Sequence, residues 1–266
     1  MSPLPYGVKR FAAQAKKDGL RAAASRKARV LRDRPLHALR NQLDQIHDRR
    51  VTGMSLEHFE AALDDGAYDS ISTPYGTLQR VLGREKFTKS DVLLDVGCGA
   101  GRPLAYLAGR RFPGQLVGIE LNPSVAQVAQ QWASRKKNVR IVAGDAFEHD
   151  LTPYTVFFIW KAMMPELFRQ FVLKVEAEVR HPVRFFYVGD QDDGDFMDGR
   201  PGWTLRRRDW VSRIHGVPMH SEPARFSSWV FDPAAARAVA ATAAESAEPA
   251  ASVDPAEPVQ PADPTE

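Results

Sequence analysis

The sequence predicts an α/β fold with a doubly wound, mostly parallel sheet, preceded by a helical extension and followed by an acidic tail. Three observations carry that expectation. Short apolar runs alternate with helical patterns from Tyr68 onward, one run ends in closely spaced glycines, and charge is divided unevenly along the 266 residues. Strand and helix in alternation are the mark of a parallel sheet covered on its faces by helices.

The charge division suggests the domain boundaries. Residues 1–50 hold 13 basic and 4 acidic residues, residues 51–232 hold 22 and 23, and residues 233–266 hold 1 and 6. The first part is a basic arm in which Val8, Phe11, Ala12 and Ala15, then Val30, Leu31, Leu39 and Leu43, stand among arginines and lysines. Breaks occur only at Gly19 and Pro35, so two basic helices are expected. Such an arm suits contact with nucleic acid, an anionic membrane surface or an acidic partner. The alternative is an extension whose apolar stripe packs on the body or on a second subunit.

In the body, Asp91–Val96 is a predicted strand running into glycines, and Arg102–Arg111 a helix. Leu116–Glu120 is a second strand, followed by a helix from Pro123 to about Ser134, with proline suited to the first helical position. Val139–Val142 is a third strand. Thr155–Trp160 is a fourth, almost wholly apolar, as a strand buried on both faces must be. Pro165–Val179 reads as an amphipathic helix and Val183–Val188 as a fifth strand. Trp203–Val211 and Arg225–Phe231 have no helix between them, so a C-terminal antiparallel hairpin should finish a sheet of seven strands. The tail from Pro233 onward is rich in Ala, Pro and Glu and cannot bury enough apolar surface to offset its ordering entropy. It is expected to be disordered, apart from a short helical turn near Ala234–Ala241.

Several classes are excluded at this level. One cysteine, Cys98, allows neither an internal disulfide nor a thiolate zinc site. No run approaches the roughly 18–20 apolar residues of a membrane-spanning helix, and the N-terminus lacks the apolar core of a secretory signal, so a soluble cytoplasmic chain is expected. The seven histidines show no metal-ligand spacing and no metal is expected; His149 alone stands near a motif.

The most informative residues are Asp95-Val96-Gly97-Cys98-Gly99-Ala100-Gly101-Arg102. Glycines let the backbone turn sharply and approach a ligand, and a helix N-terminus beyond them offers unpaired N–H groups. The spacing departs from the dinucleotide fingerprint, because Arg102 stands where its third glycine belongs, and no Gly-Lys-Ser/Thr of a phosphate loop follows. A loop headed by an acid suits a ligand with an amino acid group.

Here the sequence resembles the class I S-adenosylmethionine-dependent methyltransferases, whose first motif is Asp/Glu-x-Gly-x-Gly-x-Gly at the end of the first strand. The resemblance covers about residues 68–232. It implies a seven-stranded Rossmann-like sheet and S-adenosylmethionine as cofactor. It further implies cofactor-binding roles for Asp95, Gly97, Cys98, Gly99 and Gly101 in the loop. Glu120 would hold the ribose hydroxyls with Asn122 beside it, Asp145, Ala146 and Phe147 would surround the adenine, and Thr73 and Tyr75 would stand at the methionine end. The fourth motif departs from the family: Ile159-Trp160-Lys161-Ala162-Met163 stands where many amino-group methyltransferases have Asn-Pro-Pro-Tyr or an acid.

Trp160 and Lys161 are therefore the candidates for the reaction itself, Trp160 flanking the methyl group and Lys161 pairing with an acidic acceptor. Alternatively they are a packing residue and a rim charge. Gly189-Asp190-Gln191-Asp192-Asp193-Gly194-Asp195 could draw a cationic acceptor or be a solvated turn, whereas Arg206-Arg207-Arg208 would favour an anionic one. The acceptor expected is a nitrogen on a protein lysine or a small molecule. Two other readings stand beside it: a non-catalytic cofactor-binding module, and an RNA methyltransferase that uses residues 1–50.

Overall fold

The computed structural model describes residues 20–57, 59–60 and 70–246. Its centre is a seven-stranded sheet of β3 (Val92–Val96), β4 (Gln115–Glu120), β5 (Val139–Ala143), β6 (Val156–Trp160), β7 (Val183–Val188), β8 (Trp203–Val211) and β11 (Ala224–Phe231). They lie side by side in the order β5-β4-β3-β6-β7-β11-β8. The first five are parallel, and β11 runs antiparallel to both β7 and β8. The expected hairpin thus closes the sheet with its second strand inside and its first at the edge. Two short antiparallel pairs lie outside the sheet: β1 (Phe59–Glu60) with β2 (Ser70–Ile71), and β9 (Arg213–Ile214) with β10 (Val217–Pro218).

Period-two alternation divides the core between the two faces of the sheet. Val156 and Phe158 of β6 face one cluster, which α2 (Tyr75–Leu82), α3 (Arg102–Gly109) and α4 (Pro123–Ala133) complete. Phe157 and Ile159 face the other, against Phe168, Phe171, Val172 and Val175 of α5 (Pro165–Glu178). Val156 to Ile159 are all fully buried, which is why β6 is apolar throughout.

The extension departs from its expectation at Pro35, which does not break the described helix, α1 (Leu20–Thr52), but lies inside it. Pro35 is on the exposed side, where water can take the carbonyl that its missing N–H leaves free, and contacts on either side hold the helix in line. The first of the two expected helices falls in residues 1–19, outside the described part. The side of α1 that packs also differs, because it meets the body through its polar face. Asp33, Asp44 and Asp48 are buried, whereas Val30, Leu31, Leu39, Leu43 and Ile46 are exposed.

Asp33, Arg40 and Asp48 are matched by hydrogen bonds to the body, which compensates their desolvation. Asp33 Oδ2 accepts from Arg213 Nη1 at 2.7 Å, and Arg40 donates to the carbonyls of Pro218 and Met219. Asp48 accepts from Arg102 Nε and Nη2 at 3.0 and 2.7 Å, from Tyr75 Oη at 2.8 Å and from the Leu56 amide at 3.0 Å. The α1 helix is therefore tied to the body by these contacts.

At the other end the expected short turn is a full helix, α6 (Pro233–Ser246), and Ala236 packs beneath it against the core. Residues 247–266 of the tail lie outside the described part.

Candidate functional site

Parallel strands all end on one side of the sheet, and ligands of such sheets bind outside those carboxyl ends. A cavity lies there, lined from the ends of β3, β4, β5 and β6. The first wall is the glycine loop. Gly97, Gly99 and Gly101 have φ of 66°, 56° and 84°, the left-handed region that side chains disfavour. Space also forbids a side chain at Gly97, since a Cβ there would stand 2.4 Å from Cβ of Ala162.

Acids from two strands meet at this loop. Glu120 accepts from the Gly99 amide at 2.8 Å and, with its other oxygen, from the Asn122 amide at 3.0 Å. The carboxylate thereby ties β4 to the loop, while its remaining lone pairs can serve a ligand on the cavity side. Asp95 is 1% exposed, and its Oδ2 has no hydrogen-bond partner. Burial, reinforced by the charge of Glu120, raises its pKa well above the usual carboxylate range. Asp95 and Glu120 both line the cavity, as do Asp145, Ala146 and Phe147 beyond β5. Asp145 Oδ1 accepts from the Phe147 amide at 2.8 Å, which holds that turn.

The structure thus brings Thr73, Asp95, Gly97, Cys98, Gly99, Glu120, Asp145, Ala146, Phe147, Trp160 and Lys161 around one cavity. Three other expected residues stand behind its wall. Tyr75 turns inward to Asp48, Gly101 begins α3, and Asn122 caps α4 by accepting from the Ser124 amide at 3.0 Å. Cys98 packs beneath Gly118, where a Cβ would be 2.6 Å from its sulfur, so burial excludes ready thiolate chemistry. His149 bonds Tyr154 Oη at 2.6 Å and is not part of the lining.

Arg102 was not anticipated. It lines the cavity although it is 2% exposed, held by the bidentate contact with Asp48 and by Glu57 at 3.1 Å. The only sequence signal was the arginine directly after the third glycine; its partner is 54 residues away. His220, also unanticipated, lies against Trp160 with ring centroids 4.8 Å apart and bonds Thr77 Oγ1 at 2.8 Å. Burial lowers its pKa to about 3, so the imidazole is neutral.

On the far side of the cavity, Lys161 closes β6 with φ of 34°, a strained value for a residue with a side chain. Its stem crosses Gly189, and its ammonium pairs with Asp192 at 2.9 Å. The acidic stretch from Asp190 is solvated only at Asp192 and Asp195, and the carboxylates of Asp190, Asp192 and Asp195 are paired with cations of the chain itself. Asp190 is fully buried and bound by Arg225 at 2.7 Å, and Asp195 is bound by Arg225 at 2.8 Å. Arg207 and Arg208 lie over Phe226 and Trp229 and pair with Asp209 and Asp198, so they are not held ready for an anionic acceptor.

Residues 93–179 match the family model described as a methyltransferase domain. Residues 93–179 thus carry a methyltransferase domain. The methyltransferase domain is 28% identical over 79 residues to the probable ribosomal RNA small subunit methyltransferase A of Methanosarcina mazei, which covers 30% of this chain and 28% of that protein. It is 31% identical over 91 residues to a protein-lysine N-methyltransferase of Saccharolobus islandicus, covering 32% of this chain and 55% of that one. The chain therefore spans less than a third of the first relative and about half of the second. Among solved structures, an RNA methyltransferase from Salinibacter ruber in complex with S-adenosyl-L-homocysteine aligns with a TM-score of 0.47 and 22% identity, over 61% of this chain and 94% of that one.

S-adenosylmethionine, the cofactor of class I methyltransferase domains, fits the residues present. Asp95 Oδ2 is a buried acceptor without a partner, the complement of an amino group, and Glu120 retains acceptor capacity for a diol. No helix among the described residues is long and apolar enough to cross a membrane.

Proposed function

We propose that this chain transfers a methyl group from S-adenosylmethionine to a nitrogen on a protein or a small molecule. The single observation that carries the proposal is the meeting of Asp95, Glu120 and Asp145, from the ends of three parallel strands, around one cavity with the glycine loop. When bound, the cofactor supplies a methyl group on a sulfonium, whose leaving thioether is neutral. Asp95 and Glu120 would hold its amino acid and ribose ends, and Phe147 would pack against its adenine. The protein's share of the catalysis is then alignment and exclusion of water.

The acceptor side supports an uncharged nucleophile. Trp160, Ala162, Met163 and Leu167 make it apolar, and the Lys161 ammonium is already paired with Asp192. An apolar wall disfavours an ammonium, so an amine would lose its proton to solvent before reaching the methyl group. Trp160 would flank the acceptor, with its ring held by His220. RNA as acceptor draws support from the descriptions of two relatives and from the basic extension, whereas the apolar wall favours a smaller amine.

Calorimetry tests the reading directly. S-adenosylmethionine and S-adenosylhomocysteine are expected to bind and NAD is not. Asp95→Asn and Glu120→Gln should weaken binding roughly ten- to a hundredfold, the value of a hydrogen bond to a charged group. A folded wild type that binds neither ligand would overturn the proposal. Turnover to S-adenosylhomocysteine with an amine acceptor would exclude a purely cofactor-binding module.

A further inference from the structure

The α1 helix is turned with its charged side inward and its apolar side outward. Leu31, Pro35, Leu39, Leu43 and Ile46 recur at intervals of four or three residues and share the outward face, with the leucines and isoleucine 44–58% exposed. All three acids of the helix face the body: Asp33 and Asp48 are matched there by Arg213 and Arg102, and Asp44 is buried with them. The outward charge is consequently of one sign. Arg29, Arg32 and Arg34 stand at one end of the apolar stripe and Arg49 and Arg50 at the other, all exposed, over a helix length of roughly 30 Å.

We propose that this face docks onto an anionic membrane surface, with the helix lying in the interface plane. Aliphatic side chains between arginines suit that environment, because the former enter the acyl boundary while the latter reach lipid phosphates. The apolar stripe is too narrow and too interrupted to span a bilayer, but it is long enough to lie along one. A second copy fits poorly. A two-fold antiparallel pair of α1 helices would set Arg29, Arg32 and Arg34 of one copy against Arg49 and Arg50 of the other, like charge on like. RNA fits poorly as well, since stacking on bases calls for aromatic rings and this stripe presents aliphatic ones. The inference is independent of the reaction, so its failure would leave the methyltransferase proposal untouched.

The test is cosedimentation of the full chain with phosphatidylcholine vesicles, with and without phosphatidylglycerol, at low and high salt. Two variants change only exposed residues: Leu39→Gln with Leu43→Gln and Ile46→Gln, and Arg34→Glu with Arg49→Glu and Arg50→Glu. Circular dichroism and cofactor binding would check that each folds. Binding only to the anionic vesicles, reduced at least roughly thirtyfold in the arginine variant and comparably in the aliphatic one, is expected. Absence of binding, or binding that survives in both folded variants, would overturn the proposal. So would a wild-type dimer by light scattering that the aliphatic variant dissociates, or tighter binding to a structured RNA that the aliphatic variant leaves unchanged.

Discussion

Asp44 is buried on the inward face of α1, 3.8 Å from Arg40 and too far for a hydrogen bond, and desolvation raises its pKa to about 6. Because the folded state holds this proton more tightly than the unfolded chain does, Asp44 favours folding at acid pH, fully so below about 3.8. That contribution is lost as pH rises through about 6. Asp44→Asn should therefore match the wild type near the acid end and exceed it at pH 8 by on the order of 2 kcal/mol, read by urea unfolding. Equal stability of the two proteins at pH 8 would mean that Asp44 titrates at its ordinary value. Burial likewise pushes the Cys98 thiol up, with the charges of Asp95 and Glu120 adding to it. Iodoacetamide is expected to leave native protein unmodified and to label it once denatured, and rapid labelling of the native state would contradict the packing described.

Among the elements, α1 has the most at stake in a single contact. The Asp48–Arg102 pair is almost wholly buried, and removal of one partner strands the other's charge. Asp48→Ala is expected to cost about 3–5 kcal/mol in unfolding free energy and to weaken cofactor binding, because Arg102 lines the cavity. A variant with wild-type stability and affinity would show that Glu57 suffices to hold the arginine. None of this could be read from the helix's own pattern. Apolar periodicity assigns Leu39 and Leu43 to the inside, whereas the partners that reverse the assignment, Arg102 and Arg213, lie far along the chain. The strands were legible for the opposite reason. Val183–Val188 and Trp203–Val211 stand where expected because alternation and burial are local properties.

For the whole molecule, the sheet order follows from the crossover rule that gathers parallel strand ends on one side. The motif resemblance groups Asp95, Glu120 and Asp145 in the sequence and the parallel topology brings them together, while His220 behind Trp160 is in no motif: it arrives from the loop before β11. The long reach of α1 also has a consequence for how the protein is made. The helix is synthesised before its partners, and Asp33 meets Arg213 across 180 residues of sequence. Asp48 can be satisfied once Arg102 has been made, whereas Asp33 lacks its partner from the body until Arg213 has emerged. A helix made before its partners is thus locked in two stages, its Asp48 end by a closure of 54 residues and its Asp33 end by one of 180.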